Sequence, residues 1–227
     1  MFGWDDTDFL IGDAARVMPQ MDARLTEGGF GLAAGTKVAT QLGWRSVEAV
    51  AEGDQVLTFD RGLQTVVAVS RRTVWADAAL MDPDSWPLHV PAGALGNRGD
   101  MMLLPGQTVM IESDAAEEAY GDPFALIPAA ALDGFRGIER VVPDARFEVV
   151  TLHFAQDEII FANIGALFHC PRNVDLVADA MTARVDSYPV LGLEAAETLV
   201  TLMEMDDQAG TTMPEITDIA MAARPAA

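Results

Sequence analysis

Few residues in this chain carry chemistry by type and spacing. Cys170 is the only cysteine and excludes an intramolecular disulfide. Followed by Pro171 and preceded by His169, it is expected to be a free buried thiol beside a surface histidine. His89 and His153 have no second metal ligand at a recognisable short spacing. The acidic run Glu112-Ser113-Asp114-Ala115-Ala116-Glu117-Glu118, with Asp122 just beyond, has the charge to attract calcium. It lacks the alternating ligands and central glycine of a calcium loop, so a solvated acidic bend is expected. No metal and no other cofactor is expected.

The elements that would position such residues are mostly short. The 227 residues, half of them apolar, suffice for one substantial core with appendages. Runs of β type at 37–41, 55–59, 64–74, 101–104, 108–112, 147–154 and 158–162 are broken by glycine, proline and aspartate. Many short strands with frequent turns predict an all-β body. The run 64–74 turns basic at its end and is expected to form a ribbon leaving the core. Residues 1–30 are expected to be a weakly helical leader, 31–172 the β domain, and 173–227 an acidic extension. That extension is expected to hold helices at 194–205, where Leu199, Leu202 and Met203 share a helical spacing, and at 214–224, separated by 208–212.

The balance of 35 acidic against 14 basic residues gives a formal charge of -21, and Lys37 is the only lysine. Such a surface repels phosphate backbones and anionic membranes, so nucleic acid is excluded as a partner. The N-terminus lacks the basic and apolar segments of a secretory signal, and no apolar run is long enough to span a bilayer. A cytoplasmic location is the default expectation, with non-classical export left open. A protein partner is expected without being identified, and the oligomeric state is left open.

The most patterned stretch begins at Gly31. Gly35-Thr36, Thr40, Gly43, Val47-Glu48, Val50, Gly53-Asp54 and Val56-Leu57-Thr58 spell strand, hairpin, strand, turn, strand, which alone describes an ordinary β-meander. The density of matches goes further, because the stretch resembles the opening block of the Hedgehog/intein (Hint) domains, especially their bacterial type. Pro91-Ala92-Gly93-Ala94-Leu95-Gly96-Asn97 is similar to a second block of that type. Leu103-Leu104-Pro105-Gly106-Gln107-Thr108-Val109-Met110-Ile111 is similar to a third, and 150–163, ending Glu158-Ile159-Ile160-Phe161-Ala162-Asn163, to a fourth. Four blocks in family order cover roughly 31–170.

The resemblance implies the Hint horseshoe, a disc of bent hairpins with pseudo-twofold symmetry and short helical extensions at both ends. It also implies a reaction. Family members that self-process use a Cys or Ser at the first position to attack the preceding carbonyl, aided by an acid–base group and oxyanion donors. Here the nucleophile position falls on Gly31, and 28–34 holds no Ser, Thr or Cys. The family histidine of the third block falls on Gln107, whose neutral amide exchanges no proton near neutral pH. In the fourth block Ala155 and Asp157 stand where an aspartate and a histidine belong, while Thr36 and Glu158 match the pattern. His153, two residues before Ala155, is expected to share its strand face as a half-buried histidine. The expectation is a catalytically degenerate Hint-type domain, probed against two alternatives: autoprocessing by non-standard residues, and an exported calcium-dependent protein. It also requires that Gly31, Gln107 and Asp157 meet in one region.

Overall fold

A computed structural model describes residues 29–75, 81–143, 146–172 and 188–212. Among these, 14 strands form two antiparallel sheets, and neither closes into a barrel. The first sheet has the order β11 (Glu139–Arg140), β7 (Leu88–Val90), β8 (Met101–Leu103), β1 (Leu32–Ala33), β12 (Arg146–His153) and β6 (Ala68–Trp75). The second runs β10 (Phe124–Pro128), β9 (Thr108–Glu112), β14 (Ala166–Cys170), β13 (Glu158–Ala162), β2 (Lys37–Thr40), β4 (Gln55–Thr58) and β5 (Gly62–Thr65), with β3 (Gly43–Ser46) paired on β2. The expected β body is present, and β9 and β13 have the expected bounds.

The run expected as one strand at 64–74 is two. Val66 donates its N–H to Asp54 and accepts from Gly53, holding it beside the second sheet, whereas Val67 donates to His153 in the first. The chain therefore changes sheet between two adjacent valines. Its second part, β6, is no free ribbon, because it pairs with β12 over all eight residues.

Alternation along the strands fills the space between the sheets. Val38 and Val56, and on the other side Val150 and Leu152, are fully buried there with Phe154 and Phe168. Burying each large apolar side chain contributes about 1.5–3 kcal/mol. Among the described glycines, the closest backbone approach is between Gly165 and Gly96. A Cβ on Gly165, at φ +150, would sit 2.0 Å from the Gly96 carbonyl oxygen, so a side chain there would push apart the loops carrying the second and fourth blocks. Asn163 ties the same corner by donating its backbone N–H to the Lys37 carbonyl and accepting the Lys37 N–H on its side chain at 2.9 Å.

Two helices complete the described chain. The acidic stretch after Glu112 is not a bend but α1 (Asp114–Tyr120): Ser113 caps it by accepting the Ala116 N–H, Gly121 ends it in the left-handed region, and Ala115 and Ala116 are buried. Its carboxylates lie on a solvated face. The second helix, α2 (Leu193–Thr212), replaces the expected 194–205 and continues through the expected separator. Ala196, Leu199, Val200 and Met203 form its buried stripe at helical spacing, while Leu202 faces solvent. Neither helix is long and apolar enough to cross a membrane. The expected leader helix and the helix at 214–224 lie outside the described residues.

Candidate functional site

Gly31 enters the first sheet just ahead of β1, where Leu32 pairs with both Val150 and Leu103. Its φ is +124, a conformation L side chains rarely adopt. A Cβ built there would lie 2.7 Å from Val149 Cγ1 and 2.9 Å from the Thr151 hydroxyl oxygen. The place where a first-residue side chain would start is thus filled by β12.

Three contacts hold the peptide groups around it. The Gly31 N–H donates to Gln107 Oε1 at 3.2 Å, Arg72 Nη2 donates to the Phe30 carbonyl at 3.1 Å, and the Gly106 N–H donates to the Gly29 carbonyl at 3.2 Å. Arg72 reaches this carbonyl from β6 across β12.

Gln107 is 2% exposed and leaves no hydrogen-bonding capacity idle on its nitrogen. Its Nε2 donates to the Thr108 carbonyl at 2.9 Å and to the His169 carbonyl at 3.0 Å. Two carbonyls on one side and an N–H on the other fix the orientation of the amide. One neutral side chain therefore joins the segment before β1, the start of β9 and the end of β14.

The His169 side chain is 10% exposed, so it is not the expected surface histidine; the Tyr188 ring packs edge-on against it at 6.1 Å between centroids. Its Nε2 lies 3.8 Å from Asp157 Oδ2, too far for a hydrogen bond but close enough for an ion pair when the imidazole is charged. Asp157 Oδ1 accepts the Arg172 N–H at 2.8 Å. Gly31 and Gln107 are in direct contact, whereas Asp157 adjoins them only by way of His169 and does not line the cleft.

Phe30, Gly31, Gln107, Thr151, His169 and Cys170 are among the walls of the cleft at this point, a cavity of about 10 Å³. That is room for about one water and no larger ligand.

Directly behind it, Cys170 pairs across the ladder with Glu158. Burial pushes the Cys170 thiol up to about 12, and the Glu158 carboxylate adds to the shift, so the sulfur stays protonated and is a poor nucleophile. The Glu158 pKa is itself raised by burial, which outweighs the opposing pull of Arg61, whose Nε lies 3.2 Å from Oε1. Arg61 also donates to the Asp157 carbonyl. Glu158 is thus held in an ion pair, and Arg61 was not singled out in the sequence.

The remaining expected positions stand apart. Thr36 is buried and closes a turn, donating its N–H to Ala33 and accepting from Val47. Ala155 does not share a strand face with His153, because β12 ends at His153 and Ala155 lies exposed in the turn to β13, away from the cleft walls. His153 is half-buried, with Nε2 3.0 Å from the Ser70 hydroxyl and Nδ1 buried without a partner. Burial lowers its pKa, favouring the neutral ring. Among the described residues, no three His, Cys, Asp or Glu side chains gather where they could hold a metal ion.

The family described as "Hint domain" matches residues 30–167. Three solved structures are similar: a bacterial intein-like domain from Clostridium thermocellum, at 14% identity and TM-score 0.45 over 62% of this chain and 98% of that one; the gp41-1 intein, at 12% identity and TM-score 0.37 over 63% and 98%; and the MchDnaB-1 intein, at 16% identity and TM-score 0.36 over 63% and 99%. No curated protein sequence matches the chain. With a family match over more than half of its length, the chain belongs to the Hint domain family.

Proposed function

We propose that this Hint domain has kept the family's scaffold and lost its first-residue reaction, and that it serves as a structural or binding module without self-cleavage or splicing. The observation that carries this is the contact of β12 with Gly31. Val149 and Thr151 occupy the space into which a nucleophile would project, so the loss extends beyond one missing side chain. The neighbouring groups support the same reading. Gln107 makes backbone bonds in place of proton transfer, and the Cys170 thiol is protonated and enclosed.

Prolonged incubation of the purified full chain with a thiol, followed by intact mass measurement, tests the proposal. One species at 24.3 kDa is expected. Fragments separated at Phe30–Gly31 would show that other residues perform the cleavage.

A further inference from the structure

The outer face of the eight-stranded sheet carries an apolar band, flanked by Lys37, Gln55 and Thr65, and the described residues cover only one side of it. At one side Met110, Leu126 and Ile159 are buried beneath Tyr188 and Val190. There the chain's own extended segment lies along the edge strand β10: Val190 bridges Leu126, and the Leu191 N–H donates to the Leu126 carbonyl at 2.8 Å.

At the other side, no described residue covers the same face. Trp44 stands opposite Ala39 on β3 and β2, Leu57 opposite Leu63 on β4 and β5, and the Thr40–Val56 pairing brings Ala39 beside Leu57. Ala39 is 7% exposed, whereas Trp44, Leu57 and Leu63 are 41%, 38% and 44% exposed. Trp44 and Leu57 flank the alanine, Leu63 stands beyond Leu57 on the edge, and all three are partly exposed. Phe59 links this half to the covered one through ring contacts with Phe124 at 5.3 Å and Phe161 at 6.2 Å.

The bare half ends at β5, whose residues Gly62-Leu63-Gln64-Thr65 include neither a charge nor a proline, the usual guards of a sheet edge. Carboxylates mark both ends of this edge. Exposed Asp60, which also accepts the Tyr188 hydroxyl and keeps its second oxygen toward solvent, stands in the turn before β5; exposed Glu52 stands beside Gly53, which donates to the Val66 carbonyl just after β5. The nearby guanidinium groups of Arg45 and Arg61 are already paired with Asp54 and Glu158. A second copy at the formal charge of -21 would bring further carboxylates to an acidic rim.

We propose that β5, with Leu63, Leu57 and Trp44, docks an extended segment of another protein: a short apolar strand with a basic residue at each end. The segment adds to the sheet as Val190 and Leu191 do on the far edge, with main-chain bonds to β5 and apolar side chains on the bare row. Its terminal charges meet Asp60 and Glu52. This inference rests on the binding-module reading above.

The test uses the full chain and a fluorescein-labelled peptide of alternating valine and threonine with lysine at each end, followed by fluorescence anisotropy. Saturable binding is expected, weakened about tenfold or more by Leu63→Lys and, independently, by Leu57→Ser, both at exposed positions. The same peptide with glutamate ends, or with a central proline that cannot pair, is expected to bind about tenfold weaker or worse. Equal binding of all three peptides, or no effect of either substitution, overturns the proposal. So does sedimentation showing a dimer that Leu63→Lys dissolves, which would place a second copy on the edge. An unbroken chain that binds no peptide overturns this inference alone; a chain that cleaves overturns the reading on which it rests.

Discussion

Gly31 and Gln107, 76 residues apart, meet through a 3.2 Å hydrogen bond in which the glycine N–H donates to the side-chain carbonyl. The bond joins the family's first and third blocks through groups that neither attack nor titrate. Gln107→Ala would leave the Gly31 N–H and the carbonyls of Thr108 and His169 without this partner in a closed site. A loss of about 3 kcal/mol is expected, read as a lower denaturant midpoint with an unchanged slope. A loss below about 0.5 kcal/mol would mean the amide is dispensable.

Restoring the family's residue should not restore the family's reaction. Gly31→Cys places a side chain at φ +124 and drives its Cβ toward Val149 and Thr151. Strain and overpacking are expected to cost about 2–4 kcal/mol, with the intact mass unchanged after thiol treatment. Chemical denaturation and mass spectrometry check the two parts separately.

Cys170 should be silent toward thiol reagents in the native protein. Its sulfur is buried and its pKa is pushed up to about 12. Labelling with a disulfide reagent near pH 8 is expected only after denaturant unfolds the chain. Rapid native labelling would contradict the enclosure of β14 behind Glu158.

Acidification should weaken the fold through His153. Burial holds its folded pKa below the ordinary value of 6.5, so its contribution is present above 6.5 and is lost as pH falls through the folded value. Between about pH 7.5 and 5.5, the wild type is therefore expected to lose more stability than His153→Gln, which cannot take up the proton. Parallel denaturation curves for both proteins at the two pH values decide it, and identical losses would remove His153 from the account.

The strands legible in the sequence were those whose environment is written locally. At 108–112 and 158–162, contiguous apolar and β-branched residues flanked by turns mark β9 and β13 to the residue. β7 is only Leu88–Val90, too short to show alternation. Helix α1 was hidden by its acidic surface, although its Ser113 cap and Gly121 stop were readable signals. The candidate site was legible in its blocks and not in its contacts. Arg72 binds Phe30 across 42 positions, and His169 is covered by Tyr188, which lies beyond the end of the β domain. Such encounters depend on how two sheets and a returning segment pack.

The Glu158–Cys170 pair has a further consequence. With its sole thiol shut between strands and held in the protonated state by burial and a neighbouring carboxylate, the chain has no cysteine open to disulfide formation or exchange. The same fold should stand unchanged in the reducing interior of a cell and in oxidising surroundings outside it.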